Sequence, residues 1–541
     1  MGDVSEQTAQ RLVAALGEPF LKYVLALPED KPALESIPKM TNPEPAIFLL
    51  TAINQAPSSG DSELDVTLFA SGSFARYQPE LGGSLAHHIR RLCGGEIGDI
   101  PAGKDPVVQA LRTVTQDVWP ILLLRPPAKG PRAFWMSAIS GIISHPGALD
   151  AAKTFMADAK LSLLFPEAES IEDVTTMGKE VLGIQGEWIM SSGQGGTRQL
   201  ISVLDAIIFN AAVVAQLDGS PLTHASIMAS LEKSVATFRT LASKRAVEVS
   251  AIIGFGGVRV DGERKFSFGD GELRAMLPIE HNLILSESDR VTSVYATRFS
   301  VQILNISKHD PSDPDRFFRE LQKYAPRIQE AHRTLQRRVD RVRLALLLAS
   351  PTKDRLLATS QVSRFIGDPT QSGGFSSWEM DPRGPASYEV VEEVGKEAVR
   401  WHGLIQAKHP ESLNIAMKRL LSSVSQRWDA IDAFIDAVVV WENAFGTQQE
   451  TTFRVTASIA KLLEPGSAND RAKLQTELKK LYSARSLLVH GAKEPKPEDA
   501  WAQRERAIEI AVELLRKLYD ERPDLLELPS DARGAQLLLE G

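Results

Sequence analysis

Cysteine is almost absent from this chain: Cys93 is the only one among 541 residues. A single cysteine cannot form a disulfide within the chain, and it cannot supply the set of thiolates that holds a structural zinc ion. The sequence therefore excludes a disulfide scaffold and a cysteine-based zinc site within one chain. Because proteins of reducing compartments usually lack disulfides, we expect a cytoplasmic protein.

Long apolar runs are also scarce. Residues 344–349, LALLLA, form one of the longest, and this run falls far short of the ~20 residues that span a bilayer. The first residues, MGDV, lack the basic stretch followed by an apolar stretch that is typical of a signal peptide. We therefore expect neither a membrane span nor a secretory leader.

A basic excess is missing as well. The chain has 61 Lys and Arg residues against 69 Asp and Glu residues, which gives a formal net charge of -8. Proteins that coat duplex DNA usually carry a positive excess. The overall charge thus gives no sign of such a protein, although it leaves room for a localised basic site that binds a short RNA segment.

The remaining composition, 43% hydrophobic and 24% charged residues, is that of a globular protein. Residue periodicity predicts a mainly α fold with a small antiparallel β insertion. We divide the chain into a mainly helical N-terminal region (residues 1–246), a small antiparallel β region (247–310), a helical region with a loose linker (311–408) and a C-terminal antiparallel helical bundle (409–541).

Local signals support this division. Residues 8–27 have the apolar spacing of one helix face, which Pro19 kinks or splits, and residues 198–217 and 225–247 are further helical runs. Asp261-Gly262 and Asp270-Gly271 are hairpin signals, and residues 294–306 predict another strand. In residues 313–348, Asp313-Pro314 predicts a helix start and Pro326 a kink or a division. The Gly/Pro/Ser-rich residues 366–387 predict a linker or an exposed loop.

The C-terminal region contains the most informative segment. Helical runs cover residues 411–445, in one or two helices, and residues 452–463; a third helix begins after the N-cap cluster of residues 467–470 and ends at Gly491, and residues 499–519 form a last helix. The third helix ends in LYSARSLLVHG, and this segment is expected to bring Arg485 and His490 close together at the helix end.

An Arg followed by four to six residues and a His is a weak pattern, and the chain matches it three times: Arg274–His281, Arg327–His332 and Arg485–His490. Only the third match has Ser after the Arg, an apolar spacer and a Gly after the His. Five positions of an ideal helix turn through about 500°, so Arg485 and His490 lie roughly 140° apart unless the helix unwinds near His490. Gly491 permits such an ending, and we expect a buried stripe upstream at Leu474, Leu478, Leu481 and Leu488.

This segment resembles the signature of HEPN domains, in the form found in their ApeA-like branch, over about residues 410–528. The resemblance implies a HEPN-type helical bundle and a metal-independent endoribonuclease of anti-phage defence that needs no cofactor. Its site residues would be Arg485, Ser486 and His490, with Glu442 at an acidic position on a neighbouring helix. Because the chain has one such motif, the resemblance also implies a homodimer with a composite site. The alternative is a non-catalytic HEPN scaffold that binds RNA or a protein partner, in which His490 caps the helix and Arg485 pairs with a carboxylate.

The chemistry of these residue types fits RNA cleavage. A His with a near-neutral pKa can take the proton of a 2′-hydroxyl or give one to the leaving oxygen. An Arg can grip the phosphate through two N–H groups. The large N-terminal region is then expected to restrain the nuclease or to sense a phage-derived or other trigger, with the small sheet and residues 366–387 as binding places.

Three other segments suggest sites of their own. Residues 192–197, SGQGGT, would cradle a phosphate before a helix or simply form a flexible loop there. His87-His88 would bind a metal but lacks partner ligands at helical spacing. Five arginines within residues 333–343 would contact nucleic acid or form a solvated helix face, and the solvated face is the favoured reading.

Overall fold

A computed structural model shows a mainly α protein that contains antiparallel sheets. The structure describes residues 4–56, 62–74, 76–125, 142–167, 174–284, 290–310, 312–313, 315–351, 356–378, 387–446, 451–490 and 495–540. The mainly α fold class with a β part is confirmed.

The N-terminal region begins with short helices. In chain order they are α1 (Glu6–Leu16), α2 (Glu18–Val24), α3 (Ala33–Ser36), α4 (Glu44–Asn54), α5 (Ser62–Phe74), α6 (Leu85–Leu92), α7 (Pro106–Val118) and α8 (Gly147–Ala157), with the short strands β1 (Tyr77–Gln78) and β2 (Gly83–Ser84) between α5 and α6. The run over residues 8–27 is split at Gly17, whose φ is +84° and whose N–H closes α1 on the Val13 carbonyl. Pro19 lies in the first turn of α2, where no helical hydrogen bond is lost.

A hairpin follows in the region that we expected to be mainly helical. Strands β3 (Gln185–Met190) and β4 (Gly195–Gln199) pair with each other, and β3 also pairs with β10 (Ile303–Ser307) to make a three-stranded sheet. Gly193 and Gly195 take positive φ values, and a Cβ on Gly195 would lie 2.2 Å from the Trp188 carbonyl oxygen. The glycines of residues 192–197 therefore serve a tight turn.

Helices α9 (Leu200–Leu217) and α10 (His224–Ala242) come next. Helix α9 is the one helix, among the described residues, that is long and apolar enough to cross a membrane, and 78% of it is buried inside the protein. The helical run predicted at residues 198–217 matches α9, and its polar residues Asp205 and Asn210 are themselves buried.

The β part is a six-stranded antiparallel sheet, larger than the insertion that we expected. Its strands are β5 (Val247–Gly256), β7 (Lys265–Phe268), β8 (Gly271–Arg274), β9 (Ser293–Val301), β11 (Ser360–Ile366) and β12 (Phe375–Trp378), in the spatial order β12-β11-β5-β9-β8-β7. The Asp270-Gly271 hairpin between β7 and β8 is confirmed. The prediction of a hairpin at Asp261-Gly262 is wrong, because β6 (Val258–Arg259) pairs in parallel with β13 (Tyr388–Glu389).

The prediction of a loose linker at residues 366–387 is also wrong for its described part. Asp368 and Thr370 are buried in a turn after β11, and β12 pairs with β11 at the edge of the sheet; residues 379–386 lie outside the described part of the chain. The sheet is covered on both faces. Ile252 and Phe365 belong to a core with the N-terminal helices, whereas Ile253 and Tyr295 belong to a second core that continues into the C-terminal helices.

Helix α11 (Glu280–Leu283) is short, and helix α12 (Arg316–Leu348) is long and passes through Pro326 without dividing. The N-cap of α12 is Asp315 and not Asp313, which instead forms an ion pair with Arg319. Helix α13 (Glu392–Lys408) then packs along α12.

The C-terminal region is helical, as predicted. It contains α14 (Asn414–Ser425), α15 (Ala430–Phe445), α16 (Thr451–Leu463), α17 (Ala468–Val489), α18 (Pro497–Asp520), α19 (Pro523–Leu526) and α20 (Ser530–Leu539). Helix α15 is central: it packs against α14 and α18 and buries Phe434 and Trp441. The bundle is joined to the rest of the chain, since Arg343 of α12 donates to Ser425 and Arg516 of α18 donates to the Leu348 carbonyl.

Candidate functional site

Helix α17 carries the Arg-His motif. The Ser467 side chain accepts a hydrogen bond from the Asp470 N–H and caps the helix start, as its sequence predicted. Leu478 and Leu481 are buried, and Leu474 and Leu488 pack against the core while partly exposed. The predicted apolar stripe thus attaches α17 to the bundle and sets which face carries Arg485.

Arg485 reaches back to the neighbouring helix α15. Its Nη2 lies 3.2 Å from the Glu442 Oε2 atom, and both side chains are about three-quarters buried. A guanidinium and a carboxylate in this setting attract each other more strongly than an exposed pair does. The structure therefore brings together Arg485 and Glu442, the acidic residue that the resemblance singled out.

Tyr482 completes this network, although the sequence interpretation gave it no role. Its hydroxyl donates to the Glu442 Oε1 atom over 2.6 Å, so each carboxylate oxygen of Glu442 has one donor. Burial, followed by the hydrogen bond to the Glu442 carboxylate, raises the pKa of Tyr482 and keeps the phenol protonated. The available signal was spacing, since residues three apart lie on one face of a helix.

Arg485 retains donors that the protein does not use. Its Nε atom is buried and has no hydrogen-bond partner among the described residues. A buried donor without a partner costs free energy. The side chain is thus held by Glu442 through Nη2, while its Nε donor is shielded from solvent.

His490 lies at the exposed end of α17. The helix continues through Val489, and the His490 N–H still donates to the Ser486 carbonyl over 3.1 Å. The helix is therefore not unwound up to its C-cap, His490, and ideal helical geometry puts positions 485 and 490 about 140° apart. Gly491, the expected helix stop, lies outside the described residues. Ser486 is half-exposed on the turn between the two motif residues.

Exposed apolar side chains flank the motif. Leu487 is 60% exposed and Val489 is 51% exposed, on the same turn that leads to His490. Phe453 of the adjacent helix α16 is also exposed, and the Lys479 ammonium lies 5.7 Å from its ring centroid. Clustered exposed apolar residues of this kind mark interaction surfaces.

The three other candidate segments have structural roles. The turn at residues 192–197 is held by the Ser192 hydroxyl, which donates to the buried Asp368 carboxylate over 3.0 Å, so it is not a loop at a helix start that cradles a phosphate. Among the arginines of residues 333–343, Arg337 and Arg338 form ion pairs with Glu330 and Asp270. Arg343 is buried, which contradicts a uniformly solvated basic face.

His87 is buried and hydrogen-bonded to a carboxylate that it shares with a second histidine. The His87 Nδ1 and His145 Nε2 atoms lie 3.2 Å and 3.1 Å from the two oxygens of Asp117, and these hydrogen bonds hold the pKa of Asp117 below its ordinary value against the opposing effect of burial. No group of three or more metal-ligating side chains occurs within the described part of the chain. The cluster is a hydrogen-bonded bridge that joins α6, α7 and the turn before α8.

Comparisons with family models, with curated proteins and with solved structures find no match to this chain. The functional argument therefore depends on the residues of the motif and on their geometry.

Proposed function

We propose that the chain is a metal-independent endoribonuclease of the HEPN type that acts in anti-phage defence. The observation that carries this proposal is the arrangement on α17: Glu442 holds Arg485, which is about three-quarters buried, and the same helix ends in an exposed His490. Glu442 is a positioning residue in this scheme, because it touches Arg485 and not the substrate.

The proposed reaction needs only these side chains. His490 accepts the proton of an RNA 2′-hydroxyl, whose oxygen attacks the adjacent phosphorus and displaces the 5′-oxygen, and the products end in a 2′,3′-cyclic phosphate and a free 5′-hydroxyl. Arg485 donates to the phosphate oxygens and stabilises the charge that grows on them. A protonated His490 from a second copy supplies the proton for the leaving oxygen.

Helix geometry supports a homodimer in this proposal. Five positions of an ideal helix leave Arg485 and His490 about 140° apart, so one copy would not aim both side chains at one phosphate. Two copies related by a two-fold axis would place Arg485 of one beside His490 of the other. Exposed Leu487 and Val489 are the apolar surface that such an interface would cover.

The second candidate function is a non-catalytic HEPN scaffold that binds RNA or a protein partner. The Arg485–Glu442 ion pair favours it too, because the carboxylate balances the charge of the guanidinium without any substrate. The two functions differ in what His490 does, since only the nuclease requires its imidazole.

The test is cleavage of RNA by the purified protein and by its His490→Ala variant, together with growth of cells that express each. We expect the variant to lose about 10²–10⁴-fold in rate and to relieve toxicity, and we expect EDTA to leave the wild-type rate unchanged. His281→Ala is the matched control, because His281 is exposed and belongs to another Arg–His match. Full activity of His490→Ala would count against the role of His490, and cleavage by neither protein would support the scaffold.

We also propose that the rest of the chain restrains the nuclease until a trigger binds. The support is that the bundle is docked through Arg343–Ser425 and through Arg516, which donates to the Leu348 and Ser350 carbonyls. Arg516→Ala in the full chain weakens this docking and is expected to raise RNA cleavage. An unchanged or lower rate in a correctly folded variant would count against restraint through this contact.

A further inference from the structure

An apolar groove crosses the surface of the N-terminal region. One half, about 660 Å³ in volume, lies between α4 and α6 and is lined by Phe48, Leu85 and Leu92. The other half, about 370 Å³, lies at the end of α2 and along the α3 segment. Asn42 and Leu92 line both halves, so the two halves adjoin at these residues.

The groove has exposed apolar side chains inside it. Phe48 is 47% exposed and Leu92 is 58% exposed, whereas Ile89, which also lines this half of the groove, is buried. Phenylalanine and leucine left this open lose the free energy of burial, which is about 25 cal/mol per Å² of apolar surface. A partner that covers both side chains recovers that free energy.

The rim of the groove is positively charged at one end. Lys31 and Lys39 line the smaller half, where Glu35 is the one acidic residue among the described lining residues. Neither lysine forms an ion pair within the described part of the chain. An occupant with acidic residues beside its apolar face would therefore match the charge of this end.

We infer that this groove binds an amphipathic helix of another protein, one whose polar face is acidic. Exposed Phe48 lines one half and exposed Leu92 lines both, so apolar surface extends over the two halves, and an amphipathic helix lays its i, i+3/i+4 and i+7 side chains into a groove of this kind. A lipid acyl chain is matched less well, because it is bound in enclosed cavities that bury most of its surface. The inference does not depend on the nuclease activity proposed for Arg485 and His490.

The probes are three fluorescein-labelled peptides of about five helical turns. The first has leucines at helical spacing and a glutamate polar face, the second has the same leucines and a lysine polar face, and the third has glutamates with leucines at alternate positions. Fluorescence anisotropy with the full-length protein measures their binding. We expect the first peptide to bind at least about tenfold more tightly than either of the others, a difference of about 1.4 kcal/mol.

Two variants assign the binding to the groove. Phe48→Ser combined with Leu92→Ser should weaken the first peptide at least about tenfold, since exposed anchors in a groove carry much of the binding free energy. Leu539→Ser, at a position that is 85% exposed on α20, is the matched control and should change nothing. Lys31→Glu combined with Lys39→Glu should reverse the preference in favour of the lysine-faced peptide.

Equal binding of all three peptides would overturn the inference, and so would unchanged binding in the Phe48/Leu92 variant. Binding to phosphatidylcholine vesicles is measured as well, because a lipid surface is the alternative occupant of the groove. If the protein binds these vesicles through Phe48 and Leu92 while it binds none of the peptides, the groove binds a lipid surface. The inference of a helical protein partner would then be wrong.

Discussion

The guanidinium of Arg485 and the carboxylate of Glu442 lie 3.2 Å apart across two helices, although 43 residues separate them in the chain. The carboxylate is held from its other side by the Tyr482 hydroxyl at 2.6 Å. Rotation of the Glu442 side chain would therefore break two hydrogen bonds. The position of Glu442 is restricted for this reason, and so is the position of the Arg485 side chain that pairs with it. These contacts predict the relative effects that substitutions of Arg485, Glu442 and Tyr482 have on RNA cleavage.

Arg485→Lys should reduce RNA cleavage at least about tenfold, because an ammonium lacks the planar fork that holds both a carboxylate and a phosphate. Glu442→Gln should also reduce the rate, since a neutral amide orients the guanidinium more weakly. Initial rates on a single-stranded RNA substrate measure both. Arg471→Lys, on the same helix, is the control for loss of an arginine, and a wild-type rate in Arg485→Lys would contradict the proposed role.

Tyr482→Phe should lower the free energy of unfolding by roughly 1–2 kcal/mol, because it removes a hydrogen bond to a charged, partly buried carboxylate. Its effect on cleavage should be smaller than that of Glu442→Gln, since the carboxylate that holds Arg485 remains. Thermal unfolding and cleavage rates measured on the same preparations test this order. Tyr324→Phe on α12 is the control, and a larger rate loss in Tyr482→Phe than in Glu442→Gln would show that the tyrosine acts directly.

The dimer prediction concerns the exposed end of α17. We expect light scattering on the active protein to give twice the chain mass of 59.2 kDa. Leu487→Glu combined with Val489→Glu should return it to one chain mass and abolish cleavage, because like charges cannot pack across a two-fold axis. Leu539→Glu should leave both properties unchanged. An active wild-type preparation of one chain mass would rule out the composite site.

Asp205 should make the stability of the protein depend on pH. Burial on α9 raises its pKa from 3.8 to about 8, and the hydrogen bond from the Ser372 hydroxyl opposes this rise in part. Between these two values the folded protein retains a proton that the unfolded chain releases, so stability is full below about pH 4 and falls as pH rises toward 8, by at most about 1.4 kcal/mol per pH unit.

Asp205→Asn has the same shape and no charge, so it should remove this loss. Thermal unfolding of wild type and variant across pH 5 to about 9 tests the prediction. We expect the stability of the variant, relative to that of the wild type, to increase as pH rises. Parallel pH profiles would show that Asp205 is not the group responsible.

The sequence by itself determined the helix ends, turns and helix faces that depend on residues close together in the chain. Periodicity located the C-terminal helices, Ser467 marked the start of α17, and Asp270-Gly271 marked the β7–β8 hairpin. Caps, turns and helix faces depend on side chains a few positions apart, so their signals are visible in the linear chain.

Tertiary structure alone decided which distant segments meet. Strand β11 pairs with β5 more than 100 residues upstream, and β12, which lies inside the predicted linker, pairs with β11 as the edge strand of the same sheet. Arg343 is buried because α12 meets the C-terminal bundle, and Asp205 is buried because residues 368–372 close over α9. Tyr482 gained its role only when α15 brought Glu442 beside it. Strand pairing and burial depend on packing between segments far apart in the chain, and neither local propensity nor a short motif carries that information.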